Sequence, residues 1–226
     1  MSVVDQTSHL SKPSKVSALL DFIQALSGIA LVLFMWSHMG LVSSVLFGEE
    51  VMDSIAHFFE ETYLVQTGGP IVGFGFMVHF VLAARKIPFK LGERQSIRAH
   101  AKMLRHTDTK LWLIQAGSAM VILFMGFAHM WEVLTNLPIT AGNSAYRVQG
   151  GFWGVFYLIL LPLVELHVGI GLYRVGVKWG LIKRKGRKAW HALENLITAF
   201  FIILGLASLY VFWFVVEATP PGIGTH

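Results

Sequence analysis

The chain has no cysteine among its 226 residues. Disulfides, iron–sulfur clusters and thiolate-bound zinc are therefore excluded within it. So is covalent attachment of a haem, which needs a C-x-x-C-H sequence. Charge is scarce too: 14% of residues are charged against 54% hydrophobic, a membrane composition with no room for a separate soluble domain. No internal repeat or low-complexity linker divides the chain, and 1–226 reads as a single membrane domain. The first twenty residues lack a signal-peptide pattern. They are polar, include Lys12, Pro13 and Lys15, and have no small-residue cleavage site. The apolar run that follows, from about Leu19 to Phe47, is too long for a signal h-region.

What the chain does have is long apolar stretches. A spanning helix needs roughly 20 mostly apolar residues, and five stretches qualify, at about 19–47, 69–86, 110–135, 151–177 and 192–216. The expected fold class is an all-α integral membrane protein with five transmembrane helices in a bundle. The connection around 48–68 carries Glu49, Glu50, Asp53, Glu60 and Glu61 but no Lys or Arg. The 85–110 connection carries Arg85, Lys86, Lys90, Arg94, Arg98, Lys102, Arg105 and Lys110, and the 174–188 connection is similarly basic. Basic connections stay in the cytoplasm, so the N-terminus is expected inside and the C-terminus in the periplasm. Arg147 is the one basic residue in the outer connections. A pI near 9.6 then reflects a cytoplasmic charge collar facing membrane lipid, not a nucleic-acid surface.

Four apolar stretches each hold a histidine: His38, His79, His129 and His167. An ionisable side chain in a bilayer costs several kcal/mol unless it has a partner. At 1.5 Å of rise per residue, His38 and His129 lie roughly 25 and 28 Å above the inner surface, and His79 and His167 roughly 9 and 10 Å. Two levels about 15 Å apart result. Each level holds two histidines from different helices, as a haem with one imidazole on each face requires. The expected pairs are His38 with His129 (outer) and His79 with His167 (inner), in a bundle enclosing two haems. Gly28, Gly73, Gly75, Gly126, Gly169 and Gly171 lie near these histidines and would let helices, or a flat macrocycle, approach closely. Ordinary small-residue helix packing is the other reading. A histidine-lined metal-ion or proton transporter is the alternative of a different class; it would want its ligands at one depth.

The segments Phe34-Met35-Trp36-Ser37-His38-Met39, His79-x5-Arg85-Lys86-x-Pro88, His106-Thr107-Asp108-Thr109-x-Leu111-Trp112-x-Ile114-Gln115 and Val164-Glu165-Leu166-His167-x5-Tyr173-Arg174-x3-Lys178-Trp179-Gly180 together resemble the dihaem cytochrome b membrane subunit of bacterial quinol:fumarate reductase. The resemblance runs from about Asp21 to Tyr210. It implies two haem b groups ligated by the four histidines, and a multi-pass protein of the bacterial cytoplasmic (inner) membrane used in anaerobic respiration. It implies a flavoprotein and an iron–sulfur subunit on the cytoplasmic face, in a dimer of heterotrimers. Menaquinol would be oxidised to menaquinone, and the electrons passed to the partners that reduce fumarate. This chain alone would not reduce fumarate. The same scaffold run in reverse is a succinate:quinone reductase.

The resemblance also places Glu60 as the acceptor of the quinol proton, with Glu61 as its competitor, and Glu165 as a transmembrane proton carrier. It places Gln24, Trp112, Arg147 and Lys178 at haem propionates. Glu165 has independent support, because a carboxyl within a span is expensive unless protonated or paired; a neutral Glu bonded to a helix carbonyl is the plainer reading. Glu60 is one acid among five in an acidic loop. Arg147 could anchor a helix start at the headgroups, Lys178 could be a collar charge, and Trp112 and Trp179 could be interfacial belt residues. His100 and His106 could touch the partner subunit. His9, His57, His191 and His226 receive no role.

Overall fold

The computed structural model describes residues 14–87 and 107–221. Lys12, most of the basic 85–110 connection, His9, His100, His106 and His226 lie outside the described residues. Within them the chain forms α1 (Lys15–Ser43), α2 (Glu49–Glu61), α3 (Leu64–Ala84), α4 (Thr107–Thr135), α5 (Ala141–Gln149), α6 (Phe152–Lys178) and α7 (Arg187–Phe214). Five of these, α1, α3, α4, α6 and α7, are long and apolar enough to cross a membrane. They form a ring: α1 packs on α3, α3 on α4, α4 on α6, α6 on α7, and α7 back on α1. Large apolar side chains such as Leu33, Phe74, Phe124 and Ile203 stand outward and exposed, as helices facing lipid should.

The spans differ from the sequence expectation mainly at their ends. α3 starts at Leu64, ahead of the expected 69, with Pro70 in its second turn. α7 starts at Arg187, earlier than the expected 192, because a helix can begin in polar sequence that hydropathy does not register. The 48–68 connection contains α2, whose Met52 and Ala56 are buried one turn apart, and the 136–150 connection contains α5. α2 and α5 form a cap over one end of the ring. Val45, Met52, Ala141, Ala145, Val148, Phe212 and Val216 make its apolar core. Asp53 Oδ1 accepts from Ala141 N at 2.6 Å, placing a negative charge at the first turn of α5, where the helix dipole favours it.

Small residues set the interhelical spacing. A Cβ on Gly205 of α7 would lie 2.8 Å from Leu161 of α6, and one on Gly169 of α6 would lie 3.0 Å from Thr198 of α7. The end of the ring opposite the cap is tied by charge. Asp21 of α1 accepts from Arg85 at 2.5 Å, from Lys86 at 2.8 Å and from Lys178 at the end of α6. All four side chains are partly exposed, so each pair contributes at most about 1 kcal/mol. Together they register α1, α3 and α6 at this basic end.

Candidate functional site

The ring encloses a cavity of about 950 Å³, at the upper end of the range for small-molecule and cofactor sites. His38, His79, His129 and His167 all line it. They come from α1, α3, α4 and α6 respectively, so four of the five spans contribute one each.

Near the capped end, the His38 and His129 rings face each other with centroids 5.8 Å apart and planes at 57°. At that separation both imidazoles could reach one metal-centred group held between α1 and α4. His129 Nδ1 lies 3.2 Å from the Tyr157 hydroxyl. Toward the basic end, His79 Nδ1 lies 3.1 Å from the Gln24 carbonyl and 3.3 Å from Ser27 Oγ. His167 Nδ1 lies 3.1 Å from Ser118 Oγ. In three of the four, then, Nδ1 is held by oxygen and Nε2 is the free ring nitrogen. At His79 the Gln24 carbonyl can only accept, and at His167 the Ser118 hydroxyl already donates to the Gln115 carbonyl, so Nδ1 carries the proton in both and Nε2 is left for a metal. The sequence reading missed Ser27, Ser118 and Tyr157. Each lies two to three turns from a ligand candidate or on a neighbouring helix, and only the helix rotations reveal the contact.

The glycines near the histidines divide into two groups. Gly126 faces Phe76 of α3, Gly73 faces Met130 of α4, and Gly169 faces α7, all ordinary helix packing. Gly28 is different: a Cβ there would lie 2.8 Å from His79 Cε1, so its bare backbone makes room for the imidazole. Gly171 similarly clears Gln115, whose Oε1 accepts from Arg174 at 2.7 Å.

The other expected site residues divide as well. Gln24, Trp112, Arg147, Lys178 and Glu165 line the cavity with the histidines. Gln24 Oε1 accepts from Lys86 at 2.7 Å. Arg147 is 6% exposed, donates to the Asn136 carbonyl at 3.0 Å, and holds Nε 3.4 Å from Glu132 Oε1. Glu165 is 2% exposed, and its Oε1 has no hydrogen-bond partner among the described residues. Pro162 lies three positions before it in α6. Glu60 stands apart from the cavity lining; its Oε1 accepts from Ile139 N at 2.5 Å, while its neighbours Phe59 and Ile139 line the cavity's capped end. Glu61 is exposed and pairs with His57 at 3.1 Å. Trp179 packs edge-on against Phe22, and His191 pairs with Glu194 at 3.2 Å.

The donor set suits a haem. Four imidazoles line a mostly apolar cavity, and cationic side chains stand at both ends where propionates would need them. Among the described residues no group of three or more His, Cys, Asp or Glu converges as a metal-ion site would require.

Comparison with known proteins agrees. Residues 92–207 match the family model described as the succinate dehydrogenase/fumarate reductase transmembrane subunit. The fumarate reductase cytochrome b subunit of Helicobacter pylori (strain 26695) is 38% identical over 208 residues, covering 87% of this chain and 81% of that protein. The subunit of the same name from Wolinella succinogenes is 38% identical over 209 residues, covering 86% and 81%. The chain belongs to the family of succinate dehydrogenase/fumarate reductase transmembrane subunits, and is a multi-pass protein of the bacterial inner membrane.

Proposed function

We propose that this chain is the dihaem cytochrome b anchor of a quinol:fumarate reductase, oxidising menaquinol near the capped end and delivering electrons at the basic end. The observation that carries the reading is the gathering of four histidines from four spans around one cavity, with His38 and His129 at 5.8 Å. When bound, two b-type haems would carry electrons one at a time across the bundle. His38 and His129 would hold one, and His79 and His167 the other. With two histidines to hold each group, the chemistry supplied would be electron transfer and not oxygen binding.

The remaining roles belong to the chain's own side chains. Glu60 would take a proton from the quinol, held by Ile139 N on the loop that closes the cavity. Glu165, buried and lining the cavity, would carry a proton between the two levels. Arg147 at one end and Gln24, Trp112 and Lys178 at the other would bind propionates. The basic end, placed in the cytoplasm by the charge bias of the connections, would dock the iron–sulfur subunit, with the flavoprotein beyond it.

Two measurements test this. Purified protein should give a reduced-minus-oxidised b-type spectrum at about two haems per chain; no b-type signal would end the cytochrome reading. In the assembled complex, Glu60→Gln should keep that spectrum and lose menaquinol oxidation. Undiminished turnover would remove Glu60 from the quinol site.

A further inference from the structure

Next to the capped end lies a second pocket of about 490 Å³, lined by Glu132, Asn136, Tyr146, Gln149 and Trp153. Arg147 lines both this pocket and the histidine cavity, and no other described residue does. Its guanidinium is thus a partition between them. The partition is held from the second-pocket side: Nη2 donates to the Asn136 carbonyl at 3.0 Å, and Nε sits 3.4 Å from Glu132 Oε1. Glu132 lines only the second pocket, with its side chain 24% exposed, and lies one helical turn beyond His129 on α4. An Arg this deeply buried keeps its charge and needs a partner. Apart from Glu132, Arg147 Nε has no polar partner among the described residues.

We infer that Glu132 is a positioning residue for Arg147, and that the pair sets the charge experienced by the haem between His38 and His129. The inference rests on the dihaem reading above. A positive charge beside a buried redox centre favours its reduced form, and in a low-dielectric cavity the effect is not screened away. Glu132 offsets the Arg147 charge and fixes where it sits. Removing that carboxylate takes one negative charge away from the Nε side of Arg147 and makes the outer haem easier to reduce. The inner haem, about 15 Å away by helix rise, should feel far less. The plainer role, in which Glu132 merely stabilises the cap, predicts a less stable protein with both potentials unchanged.

The test is a redox titration of the assembled complex, followed optically, for the parent protein, Glu132→Gln and Glu132→Asp. The expected result is a positive shift of the outer haem's midpoint potential in Glu132→Gln, an unmoved inner haem, and a value nearer the parent's in Glu132→Asp. If Glu132→Gln loses the outer haem, Glu132→Asp carries the test alone through a smaller shift in the same direction. An outer potential equal to the parent's in the variants, or an equal shift of both haems, overturns the inference. A parent lacking two titrating b-type haems would instead overturn the underlying dihaem reading, so the two failures are distinguishable.

Discussion

Gly28 has no side chain because the His79 ring fills the space one would need. A built Cβ lies 2.8 Å from Cε1 and 3.2 Å from Nδ1, closer than van der Waals contact allows. Gly28→Ala is expected to push the imidazole off the Gln24 carbonyl and to cost the inner haem. The haem-to-protein ratio should fall from two toward one; a ratio of two would mean that the ring can shift and still ligate. Tyr157 works more gently. Tyr157→Phe removes the oxygen 3.2 Å from His129 Nδ1 and leaves the ring in place. Loss of such a supporting partner typically weakens metal-ligand affinity about 10–100-fold. Faster release of the outer haem to an acceptor protein, with the inner haem unaffected, is the expected outcome. At this scale the sequence was legible wherever a residue was chemically out of place. A histidine or glutamate in an apolar run announces itself by its solvation cost. Ser27, Ser118 and Tyr157 are ordinary helix residues, and their importance lies only in which way each helix is turned. The partner of Glu60 was hidden for the same reason, because the Ile139 amide belongs to a loop far away in sequence.

At the scale of elements, the five spans were readable from length and apolarity, since a bilayer imposes both. α2 and α5 were not. They are 13 and 9 residues long, α2 packing on α1, α3 and α5, and α5 burying six of its nine residues against α2, α6 and α7. In α2 the apolar residues Val51, Met52, Ile55, Ala56 and Phe59 recur at helical spacing, a pattern that a search for long apolar spans passes over. Packing between spans is governed by where glycine occurs. Gly205→Val would drive a side chain into Leu161 and Met39, and overpacking of this kind costs about 1–3 kcal/mol. Gly40, exposed on α1 with nothing within 4 Å of a built Cβ, is the contrasting site. Gly40→Ala should be neutral or stabilising, since Ala is favoured over Gly within a helix by about 1 kcal/mol. Thermal denaturation in detergent should separate the two variants in opposite directions. Similar midpoints would mean that the helices adjust their spacing freely.

On the scale of the whole molecule, the ring of five spans has two unlike ends. One is capped by α2 and α5, with acidic side chains spent on loop amides. The other is bound together by Asp21 and its three cations. The charge bias of the connections predicts that the basic end faces the cytoplasm. A reporter active only in the periplasm, fused after α7, should therefore be active, and silence there would invert the topology. A ring with a cavity-lining histidine on four of its five helices offers one pair toward each end. The sequence conveyed this only as two depths, while the structure adds the facing His38 and His129 rings. That pairing by level is the central claim, and one measurement addresses it most directly: low-temperature reduced-minus-oxidised spectra of His38→Ala and His79→Ala beside the parent protein. Each variant should lose one b-type component, a different one in each case, and His129→Ala should reproduce the His38→Ala spectrum. If His38→Ala and His79→Ala lost the same component, or if His129→Ala matched His79→Ala, the two-level arrangement would be wrong.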